Sequence, residues 1–287
     1  SIYAGSKLET SHDKGVQYKN LDDYSVGHSS PTPSIYAEME FNAQAFMPSG
    51  AHMVSGASQG RLLKQLASMT REGRILELGT FTGYATACFL EGAAAVHDVI
   101  NNDDVGSRKA GPYVMSLERD SRAIDIAAAH MKILEEHGIG QDAAEAACAL
   151  RAEGKEQLPT IEDEICGTVL ENKALCEIVR VGDALATIEE MGRGEGKLQP
   201  APFDLVFVDA DKTRLVEYAE ALLSSDRILK KGGLIVVDNV LWKGLVLEAS
   251  SGEFSSMTSS SEDENDGSNI ENDSTMMVKK NRRARKL

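Results

Sequence analysis

The sequence predicts a doubly wound α/β fold, a mostly parallel sheet covered by helices on both faces, on three observations. Short apolar runs alternate with helical patterns along the chain. Those runs are near-continuous Val, Ile and Leu, without the polar alternation of a sheet that has one wet face. The first of them ends in a glycine-rich turn, GTFTG at 79–83, at the kind of strand end where such sheets bind their ligands.

Residues 1–49 mix Ser, Gly, Asp, Tyr and Pro, with SSPTPS at 29–34, and predict a poorly ordered lead-in. From residue 50 the pattern predicts a helix over 60–70, a strand over 74–78, a helix from Tyr84, a strand over 113–117 and a helix over 121–137. In the last of these, Ile124, Ala128, Met131 and Leu134 form one apolar stripe, and Gly138 is placed to end it. Further strands are predicted over 177–181, 205–208 and 234–237, with a helix over 215–228 before the last. Two segments interrupt the alternation as insertions: polar 97–111, and Ala- and Glu-rich 140–173, which has the propensity for a helix over 141–152. One domain over 50–247 accounts for the 287-residue chain, followed at 248–287 by an acidic low-complexity segment with a basic end.

Charge and cysteine usage narrow the function. The net charge of −15 is concentrated, because the acids Glu248, Glu253, Glu262, Asp263, Glu264, Asp266, Glu271 and Asp273 fall in a stretch with no Lys or Arg. Residues 250–274 are therefore expected to be disordered, and the acidic balance argues against nucleic acid. Lys279 to Lys286 is basic, and its pattern fits the start of a helix better than a nuclear or nucleic-acid tail. Cys88, Cys148, Cys166 and Cys176 form neither a CxxC pair nor a disulfide framework, which points to a reducing, cytoplasmic compartment. No apolar run is long enough for a membrane span. The chain starts at Ser1, so a targeting peptide is left undecided. His12, His28, His52, His97, His130 and His137 show no ligand spacing and are given no role.

Chemistry gathers at three predicted strand ends. The turn Glu77-Leu-Gly79-x-x-x-Gly83 lacks the spacing of a pyrophosphate-binding GxGxxG, so a phosphate ligand is disfavoured. An acid in the turn suits instead a ligand with a cationic amino-acid moiety and a sulfonium, and Glu118 ends the next strand, where a carboxylate can take both hydroxyls of a ribose. FDLVFVDADK at 203–212 and LIVVDNVLW at 234–242 then end adjacent strands with Asp209 and with Asp238 and Asn239. These are three hard oxygen donors on one sheet edge, suited to Mg²⁺ or Ca²⁺.

With MVSGASQGRLL, ILELGTFTGY, VFVDADK and DNVLWKG in this order, the sequence resembles the cation-dependent O-methyltransferases, the caffeoyl-CoA and catechol O-methyltransferase-like class, from about His52 to Leu247. The resemblance implies a Rossmann-like methyltransferase sheet and an S-adenosyl-L-methionine-dependent transferase acting on a hydroxylated aromatic small molecule. It implies Asp209, Asp238 and Asn239 as ligands of a divalent cation, Lys212 as general base, and Ser55, Glu77, Gly79, Thr80, Ala85, Glu118, Ala184 and Asp211 around the methyl donor. Glu118 stands where many relatives carry Asp. The family continues past DNVLWKG through a helix and a closing β-hairpin, whereas this chain turns acidic and then ends in KKNRRARKL, so the hairpin is expected to be lacking here. Two other function classes remain: a non-catalytic adenosylmethionine-binding protein, and a nicotinamide-dependent oxidoreductase, against which the missing GxGxxG speaks. A homodimer is compatible with the sequence and not demanded by it.

Overall fold

A computed structural model describes residues 18–102, 112–155, 158, 164–170 and 173–241. The predicted alternation is present as β1 (Arg74–Leu78), α4 (Tyr84–Asn102), β2 (Tyr113–Glu118), α5 (Ser121–His137), β4 (Ala174–Arg180), α7 (Ala184–Arg193), β5 (Phe203–Val208), α8 (Leu215–Leu223) and β6 (Leu229–Val237), with α3 (Gly56–Ser68) before β1. Among the described residues these strands and β3 (Ile165–Leu170) form one sheet in the order β3-β4-β2-β1-β5-β6. All its pairs are parallel except β3 with β4. The fold is thus the doubly wound one. The chain leaves β1 for β2 on one side and returns to β5 on the other, so the topological switch lies between β1 and β5, where a doubly wound sheet opens a crevice.

Burial follows the predicted pattern at the centre of the sheet. Every residue of β1 and of β5 is buried, and parallel strands covered on both faces need no polar alternation. The α5 stripe is buried as expected, and Gly138 caps the helix with φ +67°. Helix α8 ends at Leu223, short of the predicted 228, with Ser224 as its C-cap and the Ser225 hydroxyl donating to Gly192 O at 2.9 Å. Leu234 on β6 remains 44% exposed, since β6 is the sheet edge among the described residues.

Two expectations are corrected. The lead-in is not loose over its second half: α1 (Leu21–Gly27) and α2 (Ser34–Phe46) form there. Ile35, Met39 and Ala43 on α2 are wholly buried beside Tyr36 and Phe46. The i, i+4, i+8 spacing of the first three puts them on one helix face, and burying residues the size of Ile35 and Met39 contributes roughly 1.5–3 kcal/mol each. Segment 140–173 is likewise more than an insertion on the surface. It holds α6 (Gln141–Glu153), which packs against α2 and α5, and then β3, which extends the sheet antiparallel to β4. The polar segment 97–111 begins as the last turns of α4. Residues 103–111, the acidic stretch 250–274 and the basic end all lie outside the described residues.

Candidate active site

Register brings the predicted residues to one edge. Leu78 pairs with Leu117 on one side and Val208 on the other, and Val208 pairs with Val237. One residue further on, each strand continues the ladder once more: Gly79 N–H donates to Leu117 O at 2.9 Å, Asp209 N–H to Leu78 O at 2.9 Å, and Asp238 N–H to Val208 O at 3.1 Å. Gly79, Glu118, Asp209 and Asp238 therefore share the carboxyl edge of the sheet, across the switch point.

The turn at 79–83 is tightly wound. Gly79 has φ +102° and Gly83 φ +84°, and Phe81 between them has φ +48°. A left-handed aromatic residue costs about 1–2 kcal/mol, which the Glu118 carboxylate offsets by accepting from Phe81 N–H at 2.8 Å. The other oxygen of Glu118 accepts from the N–H groups of Arg119 and Asp120 at 2.7 and 2.9 Å. Glu118 thus ties the end of β2 to the glycine turn. Glu118→Ala should lower adenosylhomocysteine affinity by on the order of 1.5–3 kcal/mol, the worth of hydrogen bonds to a charged group. Unchanged affinity by calorimetry would remove Glu118 from the site.

Glu77 sits beneath the turn, fully buried, and not in the crevice. One of its oxygens accepts from Thr86 and from Ser116, whose hydroxyl also meets that of Thr80. The other, Oε1, is buried with no hydrogen-bond partner among the described residues. Burial pushes the carboxyl up to about 8 against the lowering effect of Ser116 and Thr86, with Asp209 and Glu118 adding to the rise. An orphaned acid oxygen of this kind is where a cationic donor from a ligand gains most. Thr80 is spent on this buried brace rather than exposed to the crevice. Ser116 and Thr86 were not predicted, although a serine inside the apolar run YVMSLE signals a buried polar partner.

On the far side of the crevice, Asp209 is in direct contact with Lys212 through a short ion pair. Burial raises the Asp209 pKa; the Lys212 interaction lowers it and Asp238 raises it further. Asp238 accepts from Gln59 Nε2 at 3.0 Å and from Asn239 N–H at 2.6 Å, and Asn239 is held at φ +58°. Gln59 lies one helical turn beyond Ser55, at the start of α3, so that helix end borders the acids. Among the described residues no group of three or more His, Cys, Asp or Glu converges as a metal cage; the set here is two carboxylates and an amide. Its chemistry fits a hard cation, since the Asp238 charge adds to the rise at Asp209 and a positive ion would relieve it.

Arg214 fastens the third wall. Its guanidinium bonds both oxygens of Asp183 at 2.9 and 2.7 Å and lies 3.2 Å from Asp211. Asp183 caps α7, which starts at Ala184, and Asp211 caps the short helical turn Lys212–Arg214. The loops carrying Ala184 and Asp211 are thereby joined. Ala85, in the first turn of α4, is almost fully buried behind the glycine turn.

Comparison with known proteins bears on this edge. Residues 167–274 match the family model described as O-methyltransferase. O-methyltransferase ankF of Aspergillus thermomutatus is 28% identical over 232 residues, which is 80% of this chain and 72% of that protein. Catechol O-methyltransferase of Mycobacterium tuberculosis is 27% identical over 232 residues, 80% and 74% of the two chains. The SAH-bound methyltransferase PaMTH1 of Podospora anserina superposes with a TM-score of 0.53 at 20% identity, over 85% of this chain and 77% of that one, and shares the fold.

Proposed function

We propose that the chain is an S-adenosylmethionine-dependent O-methyltransferase, a reading that the family-model match over residues 167–274 and the relatives at 28% and 27% identity support, and that it methylates one hydroxyl of a vicinal aromatic diol with the help of a divalent cation. The observation that carries the substrate class is the placing of two chemistries at the β1–β5 switch point: the glycine turn with Glu118 on one side, and Asp209, Asp238 and Asn239 with Lys212 on the other. A cation held by Asp209, Asp238 and Asn239 would supply Lewis-acid activation of the acceptor hydroxyl.

The chain's own residues divide the remaining work. The glycine turn and Glu118 orient the methyl donor, and Glu77 braces the turn from below through Thr86 and Ser116. Lys212 Nζ, held beside Asp209, would take the acceptor's proton in its neutral amine form. The methyl group passes in one displacement from sulfonium to oxygen, with no covalent enzyme intermediate.

Methyl transfer to a catechol compared with the corresponding monophenol tests this reading. A diol that chelates should be preferred by at least about 100-fold in kcat/KM, the loss of several kcal/mol of charge stabilisation. Equal rates on the two acceptors would leave the methyltransferase and remove the chelated diol.

A further inference from the structure

A chain of donors runs from the protein surface to the glycine turn through residues outside the described site. Arg151 on α6 donates from Nη2 to Glu38 Oε2 at 2.5 Å and from Nη1 to Asn42 Oδ1 at 2.9 Å, both on α2. Its guanidinium also lies 5.3 Å from the ring centre of Phe41. Because Asn42 accepts through Oδ1, its amide nitrogen is the donor, and it reaches Ala147 O at 3.0 Å and His130 Nε2 at 2.9 Å. His130 Nε2 is then the acceptor, so its proton sits on Nδ1, 2.9 Å from the carbonyl oxygen of Thr82 in the turn. Both Asn42 and His130 are completely buried. Burial holds the imidazole down to about 4, as a neutral ring with one donor and one acceptor requires.

We infer that His130 is a positioning residue for the glycine turn: relayed through Asn42 from Arg151, it grips the Thr82 carbonyl and fixes the left-handed path of residues 79–83. Sequence reading assigns His130 no role, because its partners lie 48 and 88 residues away. The relay also gives α2 and α6 a task. They carry Asn42, Glu38 and Arg151, so the segments outside the alternating strands and helices support the ligand wall. The link from turn geometry to methyl-donor affinity rests on the proposed function; the link from His130 to turn geometry does not.

Hydrogen exchange of the ligand-free protein, with adenosylhomocysteine titration alongside, tests the relay with three variants. In H130N the side-chain amide nitrogen takes the place of Nδ1 and can still bond Thr82. In H130Q the side chain reaches toward Asn42 and the Thr82 bond is lost. R151Q leaves the imidazole and weakens its outer support. H130Q should speed exchange of the amides of Phe81 and Gly83 by about five- to tenfold, the worth of one hydrogen bond, and R151Q by less, with H130N near wild type. Adenosylhomocysteine affinity should fall in the same order. Wild-type exchange in the turn of both H130Q and R151Q would overturn the inference, as would acceleration spread equally over β1, α5 and the turn, the mark of plain destabilisation. Absence of adenosylhomocysteine binding by the wild type would sink the donor assignment, and the exchange result would still decide on His130.

Discussion

Asp209→Ala is expected to abolish methyl transfer while leaving adenosylhomocysteine affinity within about twofold. The carboxylate is three-quarters enclosed by its own strand end and by Lys212, and its side chain has no bond to the glycine turn or to Glu118. On the proposed reading its removal would deprive a cation of one of two acidic ligands, and it leaves Lys212 without its ion-pair partner. A loss of at least about 10³-fold in kcat corresponds to roughly 4 kcal/mol of transition-state stabilisation. Stopped turnover with calorimetrically unchanged adenosylhomocysteine binding checks this; comparable loss of both would mean that Asp209 belongs to the donor wall.

Gly79→Ala should behave in the opposite way and remove binding and turnover together. A Cβ at Gly79 would stand 2.6 Å from the backbone oxygen of Asp209, a contact no real Cβ makes, at φ +102°. Left-handed backbone alone costs an alanine about 1–2 kcal/mol. The clash is with backbone on the neighbouring strand, so relief must part β1 from β5 at the switch point. Thermal unfolding should drop by several degrees, and adenosylhomocysteine binding should become undetectable. A variant that binds and turns over normally would show that the two strand ends can separate without consequence, and the shared-edge account would be wrong.

What the sequence discloses here depends on the range of the interaction. Strands β1, β2, β5 and helix α5 were legible because each carries its own pattern: an unbroken apolar run, or one stripe with an Asp cap and a terminal glycine. That Asp209, Asp238 and Asn239 end two neighbouring strands on one sheet edge followed from the parallel strands alone, since parallel register aligns strand ends. α2 was obscured by the SSPTPS that precedes it, although Ile35, Met39 and Ala43 already had helical spacing. β3 was missed because ICGTVL is short, contains a glycine and gains its order by pairing with β4. Glu77 was expected to face the ligand, and only the fold reveals that Thr86 and Ser116 hold it below the turn. Gln59, Arg214 and His130 act on partners 179, 31 and 48 residues away, separations at which one sequence carries no local signal.

Divalent-cation dependence tests the central claim most directly. Methyl transfer from S-adenosylmethionine to a catechol should be measured after exhaustive chelation and again after adding back Mg²⁺, with adenosylhomocysteine affinity followed in the same samples. If Asp209, Asp238 and Asn239 hold a hard cation as proposed, chelation stops turnover, Mg²⁺ restores it, and affinity for adenosylhomocysteine barely changes. Full activity in the chelated enzyme would contradict the cation-assisted mechanism and leave Lys212 to act as base without it.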